Sequence, residues 1–145
     1  MLVIPKNLEA RLPLGSLASK ETIGLIMVTK NGIIKKVALS SFKDVRSSGI
    51  IAIRLSKGDE LMWASIVSKG DDVILITKQG QSIRFKESDA RIMGRTAAGV
   101  RAIRLKKNDE LIGTGAIKKS EKTLSILTMS KNGFGKKTDI KNYRL

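Results

Sequence analysis

Lysine and arginine recur at fixed offsets from a short motif, and these side chains are suited to binding phosphate groups. The motif occurs as Thr29-Lys30-Asn31-Gly32, Thr77-Lys78-Gln79-Gly80 and Ser130-Lys131-Asn132-Gly133. Cations stand two residues before each glycine, then four and eleven residues after it: Lys30, Lys78 and Lys131; Lys36, Arg84 and Lys137; Lys43, Arg91 and Arg144. Such a pattern on a repeated unit would form a row that a long polyanion can follow. We therefore expect all nine to be exposed along one outer edge.

A glycine-containing loop adds further candidates. Residues 91–101 combine three arginines with small residues, and the counterpart at 43–49 carries Lys43 and Arg46. Small residues let a polyanion backbone approach closely, and arginine can grip phosphate with two hydrogen bonds. The remaining candidates for contact with the polyanion are Lys35, Lys86, Arg95, Arg101 and Lys136. The alternative interpretation is that these charges are solvated and that the strand lysines protect an exposed sheet edge.

Composition favours a partner that is an anion and argues against catalysis. The 145 residues carry a net charge of +15 and are 41% hydrophobic, which is enough for a real core. The chain has no cysteine and no histidine, so disulfides, thiolate metal sites and the commonest general base are excluded. No glycine-rich phosphate loop and no apolar run of membrane-spanning length occur. We expect no active site, no metal, no cofactor and no membrane contact in this chain, and an intracellular location.

Two further features have a structural interpretation that outweighs the functional one. The pairs Asp59-Glu60 and Asp109-Glu110 could suggest a metal site, but each aspartate follows Gly or Asn at a predicted turn. Trp63 could stack on a base, yet a tryptophan in a strand more often packs in a core.

Short segments rich in Ile, Val and Leu, separated by Gly, Asn and Asp, predict an all-β protein of repeated antiparallel units. Strands are predicted at residues 23–29, 33–38, 50–55 and 61–67, then at 73–77, 81–86, 100–105 and 110–117, and finally at 124–129 and 134–138. Asn-Gly between apolar runs predicts two-residue hairpin turns. The segment 49–55 recurs at 99–105. The predicted units are 22–71, 72–122 and the start of another at 123–145, with the end of an earlier unit at 1–21.

Together the segments 29–36, 49–55, 58–61, 94–101 and 132–137 resemble the C-terminal domain of the DNA gyrase A protein, over roughly residues 22–145. The resemblance implies a β-pinwheel of four-stranded antiparallel blades whose basic rim binds and bends duplex DNA, largely regardless of sequence. It also implies that the remainder of the gyrase A protein and the gyrase B protein are partners, that ATP and magnesium are used elsewhere in the parent topoisomerase, and that the location is the bacterial cytoplasm near the nucleoid.

One departure from that family keeps alternatives open. The seven-residue box Gln-Arg-Arg-Gly-Gly-Lys-Gly, typical of gyrase, is absent from this sequence. The corresponding domain of topoisomerase IV, which steers DNA for decatenation, is therefore one alternative, and a basic propeller that binds an acidic protein is another. If all nine cations met phosphates, log affinity for duplex DNA should fall against log salt with a slope of about −8.

Overall fold

The computed structural model describes residues 24–43, 45, 47–121 and 123–145, and these form an all-β molecule, which confirms the predicted class. The unit predicted at 1–21 and the candidate Arg46 lie outside the described residues. No helix in the described part is long and apolar enough to cross a membrane. The strands are β1 (Gly24–Thr29), β2 (Ile33–Ala38), β3 (Leu61–Val67), β4 (Asp72–Thr77), β5 (Ser82–Lys86), β6 (Val100–Arg101), β7 (Leu111–Ile117), β8 (Ser125–Met129) and β9 (Gly135–Asp139). Short 3-10 turns follow β2, β5 and β9 at Leu39–Phe42, Glu87–Asp89 and Ile140–Asn142.

The strands form three antiparallel sheets that follow one another along the chain. The first has the order β3-β1-β2-β6, the second β5-β4-β7, and the third is the β8-β9 hairpin. A register shift lies at the same place in the first two sheets, between Val28 and Thr29 of β1 and between Ile76 and Thr77 of β4. The sequence repeat is therefore also a repeat of sheet geometry.

The strand β6 belongs to a different sheet from the one predicted. The sequence grouped residues 100–105 with the second set of strands, but only Val100 and Arg101 form a strand, and they pair with Ile34 and Ile33 of the first sheet. The Ala102 N–H continues this contact by donating to the Gly32 carbonyl at 2.9 Å. Residues 50–55 form no strand in the structure. Strand propensity is local and predicts an extended segment, but it does not identify the segment's partner.

The hairpin turns also differ from the predicted two-residue type. In all three, the glycine N–H donates to the carbonyl oxygen three residues earlier, as from Gly32 to Thr29 at 3.1 Å, and the glycine has a positive φ. Asn31 does not have a positive φ; in the described part, Asn108 is the only non-glycine residue that does. Each connection is therefore a three-residue loop, a tight turn closed by a left-handed glycine. The Ile33 N–H donates to the Thr29 hydroxyl at 3.2 Å and fixes the start of β2.

Successive sheets pack face to face because alternate residues of a strand point to opposite sides. Ile26 of β1 and Leu75 of β4 share one buried cluster between the first and second sheets. Ile74, on the other face of β4, packs with Ile140 of the third unit. A separate cluster that includes Met27 covers the opposite face of the first sheet. The second sheet therefore has one face toward the first unit and one toward the third.

Candidate nucleic-acid interface

The cation four residues after each turn glycine is not part of an exposed row in the first two units. Lys36 lies on the face of β2 that meets the second sheet, and its ammonium forms an ion pair with Glu87 in which both side chains are 9% exposed. The same ammonium donates to the Glu87 carbonyl oxygen at 2.9 Å. The prediction that Lys36 is exposed is wrong, because the side-chain alternation of β2 turns it into the contact between two packed sheets.

Arg84 repeats this arrangement one unit later. Its guanidinium forms an ion pair with Asp72 at 2.5 Å, and Nη1 donates to the carbonyl oxygens of Ile140 (3.0 Å) and Tyr143 (3.1 Å). The Arg84 side chain is only 16% exposed. Glu87 and Ile140 both begin the 3-10 turn of the next unit, so this cation joins each of the first two units to its successor, although the Arg84 ion pair with Asp72 lies within the second unit. The third member of the set, Lys137, is exposed.

Lys35 lies on the opposite face of β2 and is completely buried. Its ammonium donates to the carbonyl oxygen of Ala52 at 2.7 Å and to that of Arg95. Burial lowers the pKa of Lys35. Lys35 therefore cannot contact a polyanion, contrary to its inclusion among the exposed candidates. Lys136, at the same position of the third unit, is exposed.

The lysines two residues before each glycine lie at the hairpin tips. Lys30 and Lys78 share the carboxylate of Glu110, at 3.2 Å and 3.0 Å. Hydrogen bonds from Lys78 and Lys30 lower the pKa of Glu110, and its hydrogen bond raises the pKa of Lys30. The Leu111 N–H donates to the Lys30 carbonyl at 3.0 Å, which fixes the first tip against β7. Part of the positive charge at these tips is thus already neutralised.

The cations eleven residues after each glycine are exposed, but they lie at the other end of the strands. Lys43, Arg91 and Arg144 each follow the 3-10 turn that ends the second strand of a hairpin. A six-residue strand such as β2 spans about 20 Å, so these side chains are separated from the tip lysines by roughly that distance. The nine cations therefore occupy three places: the hairpin tips, the contacts between sheets, and the far strand ends.

The loop 91–101 places arginines along the outer edge of β2. Ile92 pairs with Lys36 in an isolated bridge, the Met93 N–H donates to the Lys36 carbonyl at 2.8 Å, and β6 closes the edge. The φ of Gly99 is +97°, and a Cβ there would lie 2.7 Å from the Ile34 carbonyl oxygen. Glycine is therefore required for this close approach. Arg91, Arg95 and Arg101 remain exposed on the loop.

A fourth arginine on this edge was not among the candidates predicted from the sequence. The Arg54 N–H donates to the Ala97 carbonyl at 3.3 Å, so the segment around it lies beside the loop, and its side chain is exposed. The signal was present, because Ile53-Arg54-Leu55 recurs at 103–105. We call Arg54, Arg91, Arg95 and Arg101 the arginine rim. None of the four forms a salt bridge with another described residue.

The other candidates are exposed but dispersed. Lys86 ends β5, Lys131 lies at the third hairpin tip, and Lys136 and Lys137 lie on β9. Among the predicted candidates, Lys30 and Lys78 meet at Glu110, and Arg91, Arg95 and Arg101 share the loop along β2.

The carboxylates and the tryptophan have structural contacts. Asp59 Oδ1 accepts from the Asn31 and Glu60 N–H groups, and Asp109 Oδ1 accepts from the Gln79 and Glu110 N–H groups. These bonds tie each hairpin tip to the strand beside it. Within the described residues no group of three or more His, Cys, Asp or Glu side chains is arranged to hold a metal. Trp63 packs against the core between the first two sheets.

Comparison with known proteins gives one consistent family. The family model described as "DNA gyrase C-terminal domain, beta-propeller" matches residues 25–68, 71–118 and 125–145. The DNA gyrase A protein of Salmonella typhimurium is 42% identical over 124 residues, which are 86% of this chain and 14% of that protein. The gyrase A protein of Escherichia coli is 38% identical over 124 residues, again 86% of this chain and 14% of that protein. The gyrase A protein of Haloquadratum walsbyi is 41% identical over 118 residues, which are 81% of this chain and 14% of that protein. The chain thus spans about one seventh of these relatives.

Two solved structures share the fold. A DNA gyrase A C-terminal domain superposes with a TM-score of 0.72 at 29% identity, covering 84% of this chain and 39% of that one. The C-terminal domain of a DNA topoisomerase IV superposes with a TM-score of 0.77 at 28% identity, covering 85% and 38%.

Proposed function

Because the chain belongs to the family of DNA gyrase C-terminal domains, we propose that its arginine rim binds the phosphate backbone of double-stranded DNA. The observation that carries this proposal is the set of four exposed guanidinium groups along one sheet edge, without a carboxylate partner among the described residues. Arginine forms paired hydrogen bonds with phosphate, and the net charge of +15 favours association with a polyanion. Phosphate contacts position DNA without reading bases, so sequence preference should be weak.

In this proposal the chain performs no reaction of its own. It holds and bends DNA for a parent enzyme in which the remainder of the gyrase A protein and the gyrase B protein carry out ATP- and magnesium-dependent supercoiling in the bacterial cytoplasm. The structural likeness to a topoisomerase IV domain supports a second candidate, in which the same rim steers DNA without strong wrapping. Joined to its parent, the chain should support the introduction of negative supercoils in the first case and decatenation in the second.

The salt dependence of duplex binding tests the rim directly. If four arginines meet phosphates, the slope of log affinity against log salt should be about −3.6, in place of the −8 expected from nine cations. Fluorescence anisotropy with a labelled duplex would measure it. The double variant R91Q/R95Q should reduce the slope to about −1.8.

A matched control lies at the opposite edge of the sheets. Lys69 and Lys119 are exposed in turns that follow β3 and β7, the edge strands farthest from the rim in their sheets. Neighbouring strands are about 4.8 Å apart, so β3 and β6 are separated by roughly 14 Å. The double variant K69Q/K119Q should leave the slope near its original value. Equal losses from both pairs, or equal affinity for an acidic peptide and for duplex DNA, would instead support a nonspecific surface for an acidic partner.

A further inference from the structure

The buried ammonium of Lys35 has no part in phosphate contact, yet it lies directly beneath the rim. Its side chain is 0% exposed, and its ammonium makes no salt bridge with any carboxylate of the described residues. Burying a charged group is costly unless hydrogen bonds replace its water. The Ala52 and Arg95 carbonyl oxygens supply those hydrogen bonds.

These two carbonyls belong to segments that carry rim arginines. Ala52 stands two residues before Arg54, and the second carbonyl is that of Arg95 itself. Neither residue lies in a regular strand. The described backbone hydrogen bond that links the segments directly is the one from the Arg54 N–H to the Ala97 carbonyl. Lys35 therefore adds a link between the two segments at Ala52 and Arg95, beside the Met93 and β6 contacts that hold the loop on β2.

We propose that Lys35 is a positioning residue for DNA binding, whose ammonium holds the backbones of Arg54 and Arg95 so that both guanidinium groups can meet phosphates of one duplex. An ammonium suits this role because it has three donors and can bond two carbonyls that approach from different segments of the fold. The inference rests on the proposed function of the rim. It also explains why the buried face of β2 that carries the apolar residue Val37 also carries a lysine.

The second unit provides an internal contrast. The residue equivalent to Lys35, three positions after the turn glycine, is Ile83. Ile83 packs against the apolar cluster between the first two sheets and offers no donor to a loop. The positioning contact is therefore a property of the first unit and not of the repeat as such.

The test compares K35M with V37A, a control on the same face of the same strand. Val37 is also 0% exposed, and its truncation weakens the core without removing a donor from either carbonyl. Duplex binding is measured across salt concentrations, with thermal unfolding recorded for every variant. K35M should reduce the slope from about −3.6 to about −1.8, through loss of two phosphate contacts, while V37A keeps the original slope even where it is equally destabilised.

A double variant shows whether the effect passes through Arg95. R95A alone should lower the slope to about −2.7, whereas K35M/R95A should bind like K35M. If K35M does not fold, K35Q replaces it, because the shorter neutral amide can still donate to one carbonyl, and a reduced slope is again expected. A K35M or K35Q slope equal to that of V37A would overturn the positioning role. Failure of R95A and R91Q/R95Q to change the slope would instead overturn the proposed function.

Discussion

Replacement of Lys36 by methionine should destabilise the fold and leave the salt dependence of DNA binding unchanged. The side chains of Lys36 and Glu87 are both 9% exposed, and their ion pair lies between two sheets. Removing one partner of a buried ion pair costs about 3–5 kcal/mol, because the other charge stays buried without compensation. K36M should therefore lower the free energy of unfolding by an amount in that range.

A second variant separates the ion pair from simple packing. In K36M/E87L no uncompensated charge is buried, and replacing a buried pair by apolar residues is often nearly neutral. The carbonyl of residue 87 loses the Lys36 donor but still accepts from the Ala90 N–H at 3.3 Å, so this part of the cost should be near the lower end of about 1–3 kcal/mol. The double variant should thus be more stable than K36M alone. The matched control is K137M, at the equivalent but exposed position of the third unit, where the change should stay within about 0.5 kcal/mol.

Urea unfolding measures these values, and the single tryptophan is a convenient probe because it packs between the first two sheets. Equal small losses in K36M and K137M would refute the reasoning, since they would mean that the Lys36 ammonium is hydrated. If the slope of log affinity against log salt decreased in magnitude by about 0.9 in K36M while stability stayed unchanged, Lys36 would instead be a residue that contacts DNA phosphate.

Two further predictions concern the first contact between units. G99A should lower the free energy of unfolding by about 1–3 kcal/mol and weaken the β2–β6 pairing, because a Cβ would lie 2.7 Å from the Ile34 carbonyl oxygen. The control G94A, where a Cβ would meet nothing within 4 Å, should leave the free energy of unfolding in urea unchanged. Burial opposes ionisation of Asp71, but the N–H groups of Ser68 and Lys119 and the Lys118 ammonium outweigh it and lower the pKa. A carboxyl group with a lowered pKa stabilises the fold above its ordinary pKa of 3.8, and this contribution is lost as the pH falls through the folded pKa. The free energy of unfolding should therefore fall less steeply with decreasing pH in D71N than in the original chain. Parallel curves below pH 4 would contradict this.

The local parts of the fold were predictable because they depend on neighbours in sequence. Glycine spacing gave the period, and apolar runs gave most strands to within a residue or two. The turn type was wrong because Asn-Gly is compatible with more than one loop, and the Thr29 hydroxyl favours the three-residue form. The partner of β6 was wrong because extended segments do not encode which sheet edge they join.

The site was only partly predictable, for a related reason. Alternation places Lys35 and Lys36 on opposite faces of β2, but burial of both faces depends on what stacks against the sheet. Lysine is rarely buried, so exposure was the natural expectation. Arg54 was missed because the loop that it adjoins comes from the following unit, 43 residues later at Ala97. Repeat phase alone cannot distinguish a cation that binds a ligand from one that joins two units.

The donation of β6 to the first sheet has a consequence for synthesis on the ribosome. The outer edge of β2 can pair with residues 100–101 only after these have been synthesised, whereas residues 50–51, which belong to a segment of similar sequence, leave the ribosome much earlier. A premature pairing of that nearer segment would leave the nascent protein in a non-native register. In the native fold the later segment is the one packed closely on β2: a Cβ at Gly99 would lie 2.7 Å from the Ile34 carbonyl oxygen, whereas one at Gly49 would meet nothing within 4 Å.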